Sequence, residues 1–321
     1  MPLRIVFFGS PQFAVPALQA LASSDQFSVN LIVTQPDRPA GRGREIVEPP
    51  VKLAAAALEI PVWQPTTLRS DEALQRLSAI DADLFIVVAY GEFFQRATLA
   101  LPRYGCLNVH PSLLPRYRGS SPIQAAILNG DSETGTSIIK MVRKLDAGPI
   151  LAQQRYALTS SETGGSLAVE LARISAQMLP SVAADWCFQR IQALPQDEDE
   201  ASYTRELTKA DGGLDWHETA TTVERKVRAY SPWPTAWTRI GGRRLVIAEC
   251  AAEGRNWAML PGSVVVEQRA VFVACGAGSI RLLTVQPEGK RAMTASDWIR
   301  GLRSVENLRF DELSREPESA G

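Results

Sequence analysis

Histidine is nearly absent: this 321-residue chain has two, His110 and His217. Cysteine is sparse as well. Cys106, Cys187, Cys250 and Cys275 lie far apart and no C-x-x-C occurs, which argues against a disulfide framework and against a Cys/His zinc site. No metal is expected. Neither sign of charge dominates, since the net charge is −1, so charge alone names no partner. Apolar runs fall far short of the about 20 residues that a membrane span needs, and no membrane association is expected. The amino terminus, "MPLRIVFFGSPQ", runs straight into a strand pattern, without the basic, apolar and cleavage regions of a secretory signal. These absences describe a reduced, cytoplasmic protein. No exposed apolar stripe stands out, which leaves the oligomeric state open in the sequence; a monomer is the expectation.

What is present is ample core material, 45% of the residues being hydrophobic, in a chain long enough for two domains. "LRIVFF", "FSVNLIVTQ", "PVWQP", "DLFIVVAYG" and "GCLNVH" read as strands. "FAVPALQALASS", "VKLAAAALEI" and "DEALQRLSAI" read as the helices between them. Such alternation implies a doubly wound, mostly parallel α/β sheet, which binds ligands at the carboxyl ends of its strands. "GTSIIKMV" and a long helix-like run to about residue 190 complete a first domain, 1–190. The acidic residues 191–206 read as a linker. Residues 207–310 hold a short helix around "ATTVERKVRAY" and strands separated by turn residues, the pattern of a small β-barrel. Residues 311–321 are expected to be disordered.

Charge is uneven along this plan. Residues 209–310 hold 15 Lys and Arg against 10 Asp and Glu, a basic surplus that suits a polyanion, with ordinary sampling scatter as the alternative. "GSPQFA" after the first strand has one glycine where a dinucleotide fingerprint needs three, and reads as a plain strand-to-helix turn. No phosphate-loop motif is found.

The rare histidine is the informative residue. His110 ends the "GCLNVH" strand, and Asn108 two residues earlier leaves the same face of an extended chain. "PSLLPRYRG" follows, a proline-stiffened loop suited to one wall of a pocket. An amide and an imidazole at a strand end can serve acyl transfer. The amide donates to a developing oxyanion and the imidazole moves a proton. A carboxylate to orient the imidazole is offered by Asp146 in "RKLDAGPI". His217 in "GLDWHETAT" has no partner at ligand spacing and reads as a surface residue near a helix start.

"NVHPSLLPRYRG" with "LDAGPI" resembles the folate-dependent formyltransferases. "FFGSPQFAVPAL", "VTQPDRPAGRGR", "SPIQAAILNGD", "ETGTSI", "YSPWPTAW" and "LLTVQPEGKRAM" extend the resemblance from about residue 3 to residue 303, in the branch acting on initiator tRNA. The resemblance implies a Rossmann-like catalytic domain and an OB-like barrel. It implies transfer of a formyl group from 10-formyltetrahydrofolate, a co-substrate, to the α-amino group of initiator methionyl-tRNA. It implies a catalytic Asn108, His110 and Asp146. Folate contacts would come from Ser112, Leu113, Leu114 and Pro115, and from Tyr90 and Gly91 at the "VVAYG" strand end. The polar stretch "TQPDRPAGRGREIVEPP", by composition a surface loop, would carry Arg38, Arg42 and Arg44 to the acceptor end of the tRNA. Lys209, Arg243, Arg244, Lys290 and Arg291 would meet the tRNA backbone. Two features depart from the family pattern: Pro111, where many relatives carry glycine, and "GEFFQRATLALP" after "VVAYG". The alternatives are a small amine acceptor on the same catalytic domain, such as a sugar nucleotide amine or glycinamide ribonucleotide, and a non-catalytic RNA-binding protein.

Overall fold

The structure, a computed structural model, describes residues 1–40 and 45–312. It divides into two compact units. One holds residues 1–122, 133–158 and 168–205; the other holds 123–132, 159–167 and those from 206 on.

The first unit begins with β1 (Leu3–Gly9), α1 (Val15–Ala22), β2 (Phe27–Val33), β3 (Arg38–Ala40), β4 (Glu45–Val47), α2 (Pro50–Ala57) and β5 (Val62–Trp63). It continues with α3 (Asp71–Ser78), β6 (Leu84–Val88), α4 (Arg96–Leu99), β7 (Cys106–His110) and β8 (Arg118–Gly119). After α5 (Pro122–Asn129), which belongs to the second unit from residue 123 on, come β9 (Glu133–Lys140), β10 (Ile150–Ala157), α6 (Gly164–Cys187), whose first turn to residue 167 also belongs to the second unit, and β11 (Tyr203–Thr204). The main sheet has seven strands in the order β10-β9-β7-β6-β1-β2-β5. From β7 to β5 all pairs are parallel. β9 and β10 turn the edge antiparallel. The doubly wound reading holds, and the antiparallel edge is the part that periodicity did not show.

Successive side chains of a strand face opposite ways, and the two cores sort by this rule. Ile5, Phe7, Leu84, Ile86, Leu107 and Val109 pack with α1, α2 and the second half of α6. Val6, Phe8, Phe85, Val87 and Cys106 pack with α3 and the rings of Tyr90 and Phe94. Strands apolar on both faces demand helices on both faces. The parity of β7 puts Asn108 and His110 on the Cys106 side.

Two stretches differ from their sequence reading. The polar loop around residue 40 carries a short ribbon, with Arg38–Ala40 pairing antiparallel to Glu45–Val47. The acidic stretch taken as a linker packs into the first unit. β11 pairs with β8, and Leu194 exchanges backbone hydrogen bonds with Ile150 at 2.7 and 2.8 Å. Acidic composition signals solvation only when no buried cation needs a partner; here Arg118 does.

The second unit contains α7 (Ala220–Ala229), β12 (Trp237–Ile240), β13 (Arg243–Glu253), β14 (Val264–Glu267), β15 (Ala270–Ala274), β16 (Ser279–Pro287), β17 (Met293–Thr294) and α8 (Ala295–Arg300). The strands form one antiparallel sheet, β12-β13-β16-β15-β14, with β17 also on β16. Register shifts between Ile247 and Cys250 bend the long β13, so the sheet curls as a half-barrel around Leu245, Ile247, Val271, Val273, Ile280 and Val285. The expected OB-like module is therefore present. Asp311, assigned to the tail by composition, is held: its carboxylate accepts from the amides of Gly241 and Gly242 at 3.1 and 2.8 Å. The rest of the expected tail, from residue 313, lies outside the described residues.

Candidate active site

Asn108 and His110 stand at the carboxyl end of β7, next to the middle of the sheet, and Asp146 reaches them from the turn between β9 and β10. The Asn108 amide donates to Oδ1 of Asp146 at 3.2 Å. The backbone amide of Gly119 donates to Oδ2 at 2.9 Å. His110 Nδ1 faces the same Oδ2 at 3.6 Å, an ion-pair distance longer than a direct charge-assisted hydrogen bond. The other ring nitrogen, Nε2, lies 2.9 Å from the Tyr117 carbonyl, which can only accept. Both ring nitrogens thus face acceptors. The His110 side chain is 5% exposed and that of Asp146 is 10% exposed, so their attraction is little screened by water. The three residues that the sequence singles out are brought together.

Local backbone explains the placement. Asp146 has φ +47°, in the left-handed region that Asp tolerates better than most residues. A side chain at Gly148 would meet the Lys140 carbonyl at 1.8 Å, so this turn closes only over glycine. Gly119 has φ +107°, and a Cβ there would lie 2.2 Å from the Thr204 carbonyl. Glycines on both sides allow the backbone approach that lets the Gly119 amide reach Asp146.

The loop after His110 is pinned from below. Ser137 lies opposite His110 in the β7–β9 register. Its hydroxyl donates to the Ser112 carbonyl at 2.6 Å and accepts from the Leu114 amide at 3.0 Å and from Gln153 Nε2 at 2.8 Å. Gln153 also donates to the Leu114 carbonyl at 2.9 Å. The Ser112 hydroxyl is spent inside the loop on the Arg116 carbonyl at 2.7 Å. Leu114 is buried, while Leu113 and Pro115 are half-buried. Sequence reasoning missed Ser137 and Gln153; the available signal was a hydroxyl at an inward position of an apolar strand.

At the end of β6, Gly91 has φ +86° and open space where a side chain would go. Tyr90 does not present its side chain beside it. The ring packs edge-on against Phe8 and Phe94, and burial pushes the phenol well above its usual range. Its hydroxyl is buried without a hydrogen-bond partner. What Tyr90 offers is its carbonyl, which accepts from Gln35 Nε2 at 3.2 Å. In the departing run, Glu92 accepts from the Thr67 hydroxyl at 2.8 Å and the Leu68 amide at 3.0 Å, which fixes the loop and leaves Phe93 exposed.

The cations divide. Arg38 is exposed and donates to Gln35 Oε1 at 3.1 Å; Arg42 and Arg44 lie outside the described residues. In the second unit, Arg243, Lys290, Arg291 and Lys209 are exposed. Arg244 is half-buried, with its guanidinium 4.8 Å from the Trp237 ring, which Arg239 also approaches at 5.7 Å. Burial, and secondarily Arg239, lowers its affinity for its proton. The Trp237 indole donates to the Lys209 carbonyl at 3.1 Å, and the Glu288 amide donates to the Arg244 carbonyl at 3.0 Å. Main-chain and ring contacts thus join Lys209, Arg244 and the β16–β17 turn that carries Lys290 and Arg291. His217 is exposed ahead of α7, as its sequence context suggests. Among the described residues, no group of three or more His, Cys, Asp or Glu is placed to hold a metal ion, and no helix is long and apolar enough to cross a membrane.

Residues 3–183 match the family "Formyl transferase" and residues 206–303 match "Formyl transferase, C-terminal domain". A methionyl-tRNA formyltransferase from Roseiflexus sp. (strain RS-1) is 47% identical over 315 residues, covering 98% of this chain and 97% of the relative. One from Xanthomonas axonopodis pv. citri (strain 306) is 44% identical over 309 residues, covering 96% and 100%. Among solved structures, the sugar 3N-formyl transferase WlaRD is similar with a TM-score of 0.65 and 15% identity, covering 91% of this chain and all of that one. HypX from Aquifex aeolicus in complex with tetrahydrofolic acid is similar with a TM-score of 0.62 and 14% identity, covering 98% of this chain and 49% of that one. At these identities the structural likeness shows the fold.

Proposed function

The chain belongs to the formyl transferase family, alongside the methionyl-tRNA formyltransferases, and from that premise we infer that it moves a formyl group from 10-formyltetrahydrofolate to the α-amino group of initiator methionyl-tRNA. The observation that carries the reading is the meeting of Asn108 and His110 with one carboxylate, Asp146, at the end of a central strand.

The amine nitrogen attacks the formyl carbon, the bond from that carbon to N10 breaks, a proton leaves the amine, and one arrives on N10. Asn108 has a second amide N–H beyond the one given to Asp146, and it is the donor for the oxyanion. His110 moves the proton, and Asp146 balances the charge of the ring while it holds one. Their burial keeps water out of the exchange. The floor at Ser112–Pro115 and the open side of Gly91 hold the folate. The curled sheet, through Lys209, Arg243, Arg244, Lys290 and Arg291, meets tRNA phosphates, and Arg38, with Arg42 and Arg44, meets the acceptor end. No step needs a metal. The protein acts as a monomer in the cytoplasm.

The test is formylation by the purified chain with 10-formyltetrahydrofolate, offering methionyl initiator tRNA, a sugar nucleotide amine and glycinamide ribonucleotide as acceptors. Formylation of the tRNA alone is expected. A higher kcat/KM for either small amine overturns the assignment.

A further inference from the structure

The geometry points to Gln196 as a positioning residue that sets where Asp146 stands against His110, acting from the stretch whose composition suggested a linker. The inference rests on the proposed role of Asp146.

Gln196 Nε2 donates to the backbone carbonyls of Asp146 and Gly148, each at 2.7 Å. Its Oε1 accepts from Arg118 Nε at 3.0 Å and from Nη2 at 2.8 Å. All four hydrogen-bonding sites of the amide are used. The partners also decide its orientation, since a reversed amide would aim its NH2 at a guanidinium and its oxygen at two carbonyls. Arg118 is itself fully buried. Its remaining donors reach Glu198 at 3.0 and 3.1 Å and the Tyr203 hydroxyl at 3.0 Å.

Arg118 adjoins Gly119, whose amide binds the Asp146 carboxylate. Asp146 is therefore held at both ends from one place. Gly119 takes its side chain, and Gln196, fixed on Arg118, takes its main chain. On the chain leading to Asp146, Val142, Arg143, Lys144 and Leu145 are exposed, and the side-chain tie there is the Lys144 ammonium on Glu198 at 2.5 Å. Without Gln196, the carbonyls of Asp146 and Gly148 lose these donors, and a left-handed residue loses its tether. A displacement of about 1 Å at a reacting group costs up to roughly a hundredfold in rate.

The experiment is a double-mutant cycle on kcat for the intact chain, using Gln196→Ala, Asp146→Asn and the pair. Gln196→Glu is the second variant; it keeps the acceptor toward Arg118 but sets a carboxylate against two carbonyls. If Gln196 acts through Asp146, Gln196→Ala and Gln196→Glu each lower kcat by roughly 10- to 100-fold. The KM values for folate and tRNA stay within about threefold, because the loss falls on the transition state. In the Asp146→Asn background Gln196→Ala then costs less than about twofold more. Equal losses in both backgrounds, or losses confined to melting temperature, overturn the positioning role and leave Asp146 catalytic. If Asp146→Asn alone retains the original kcat, the proposed role of Asp146 fails and the inference fails with it.

Discussion

Asn108 donates its side-chain amide to the carboxylate of Asp146 at 3.2 Å, across 38 positions of sequence. The same carboxylate accepts from Gly119 and faces His110, so two hydrogen-bond donors and the imidazole ring converge on two oxygens. Asp146→Asn keeps the shape but turns one oxygen into an NH2 that opposes a donor. The expected outcome is a loss of kcat by at least about a hundredfold, the scale of a disabled proton-transfer apparatus. Single-turnover formylation checks it; a rate within about threefold of the original reduces Asp146 to a turn residue.

His110→Ala removes the ring that lies between Asp146 and the Tyr117 carbonyl. Turnover should fall by roughly a hundredfold to ten-thousandfold. The Tyr117 carbonyl loses its donor, so stability should fall by about 1–3 kcal/mol without loss of the fold. Circular dichroism with single-turnover kinetics separates the two effects. Near-normal turnover in a folded variant removes His110 from the chemistry.

Ser137→Ala leaves the Leu114 amide without its acceptor and the Ser112 carbonyl without its donor, both beneath the loop. Destabilisation of about 1–3 kcal/mol is expected. The KM for folate should rise while that for tRNA holds, because the loop floors the proposed folate slot. Denaturant melts and paired KM measurements decide; a rise in the tRNA constant alone contradicts the assignment of the loop.

Glu198 makes a pH prediction. Its hydrogen bonds to Arg118 first and Lys144 second hold its carboxyl at about 2, down from the ordinary 4.5. A depressed carboxylate contributes stability that is complete above 4.5 and is lost as pH falls through about 2. The wild-type chain should therefore melt above Glu198→Gln at neutral pH, with the gap closing as acid passes below about 4.5. Melting curves of both proteins across that range are the check. A gap constant down to about pH 3 means the ion pair contributes nothing.

The cations of the curled sheet should show in salt dependence. If Lys290 and Arg291 neutralise tRNA phosphates, replacing both with Ala should lower the slope of log KM for tRNA against log salt by about 0.7–0.9 for each phosphate no longer neutralised. The KM for folate and the kcat at saturation should barely move. A salt titration of both proteins measures this. Identical slopes favour a small amine acceptor.

The sequence by itself determined the periodic part of this protein. Apolar runs of strand length alternating with helices required parallel pairing with helices on both faces, and short strands between turns required a second, curled sheet. It also determined that Asn108 and His110 share a face, because that follows from a two-residue repeat. Tertiary structure decided whatever depended on partners distant in sequence. Nothing local marks the Tyr90 ring as part of the core; packing with Phe8 and Phe94 does. Nothing local marks Ser137 as the pin under the loop; the register opposite His110 does. The acidic run at 191–206 looks solvated until the buried guanidinium of Arg118 is seen to need Gln196 and Glu198. Burying a charge without partners costs several kcal/mol, and the chain meets that demand with residues about 80 positions away, at a separation no periodicity reveals.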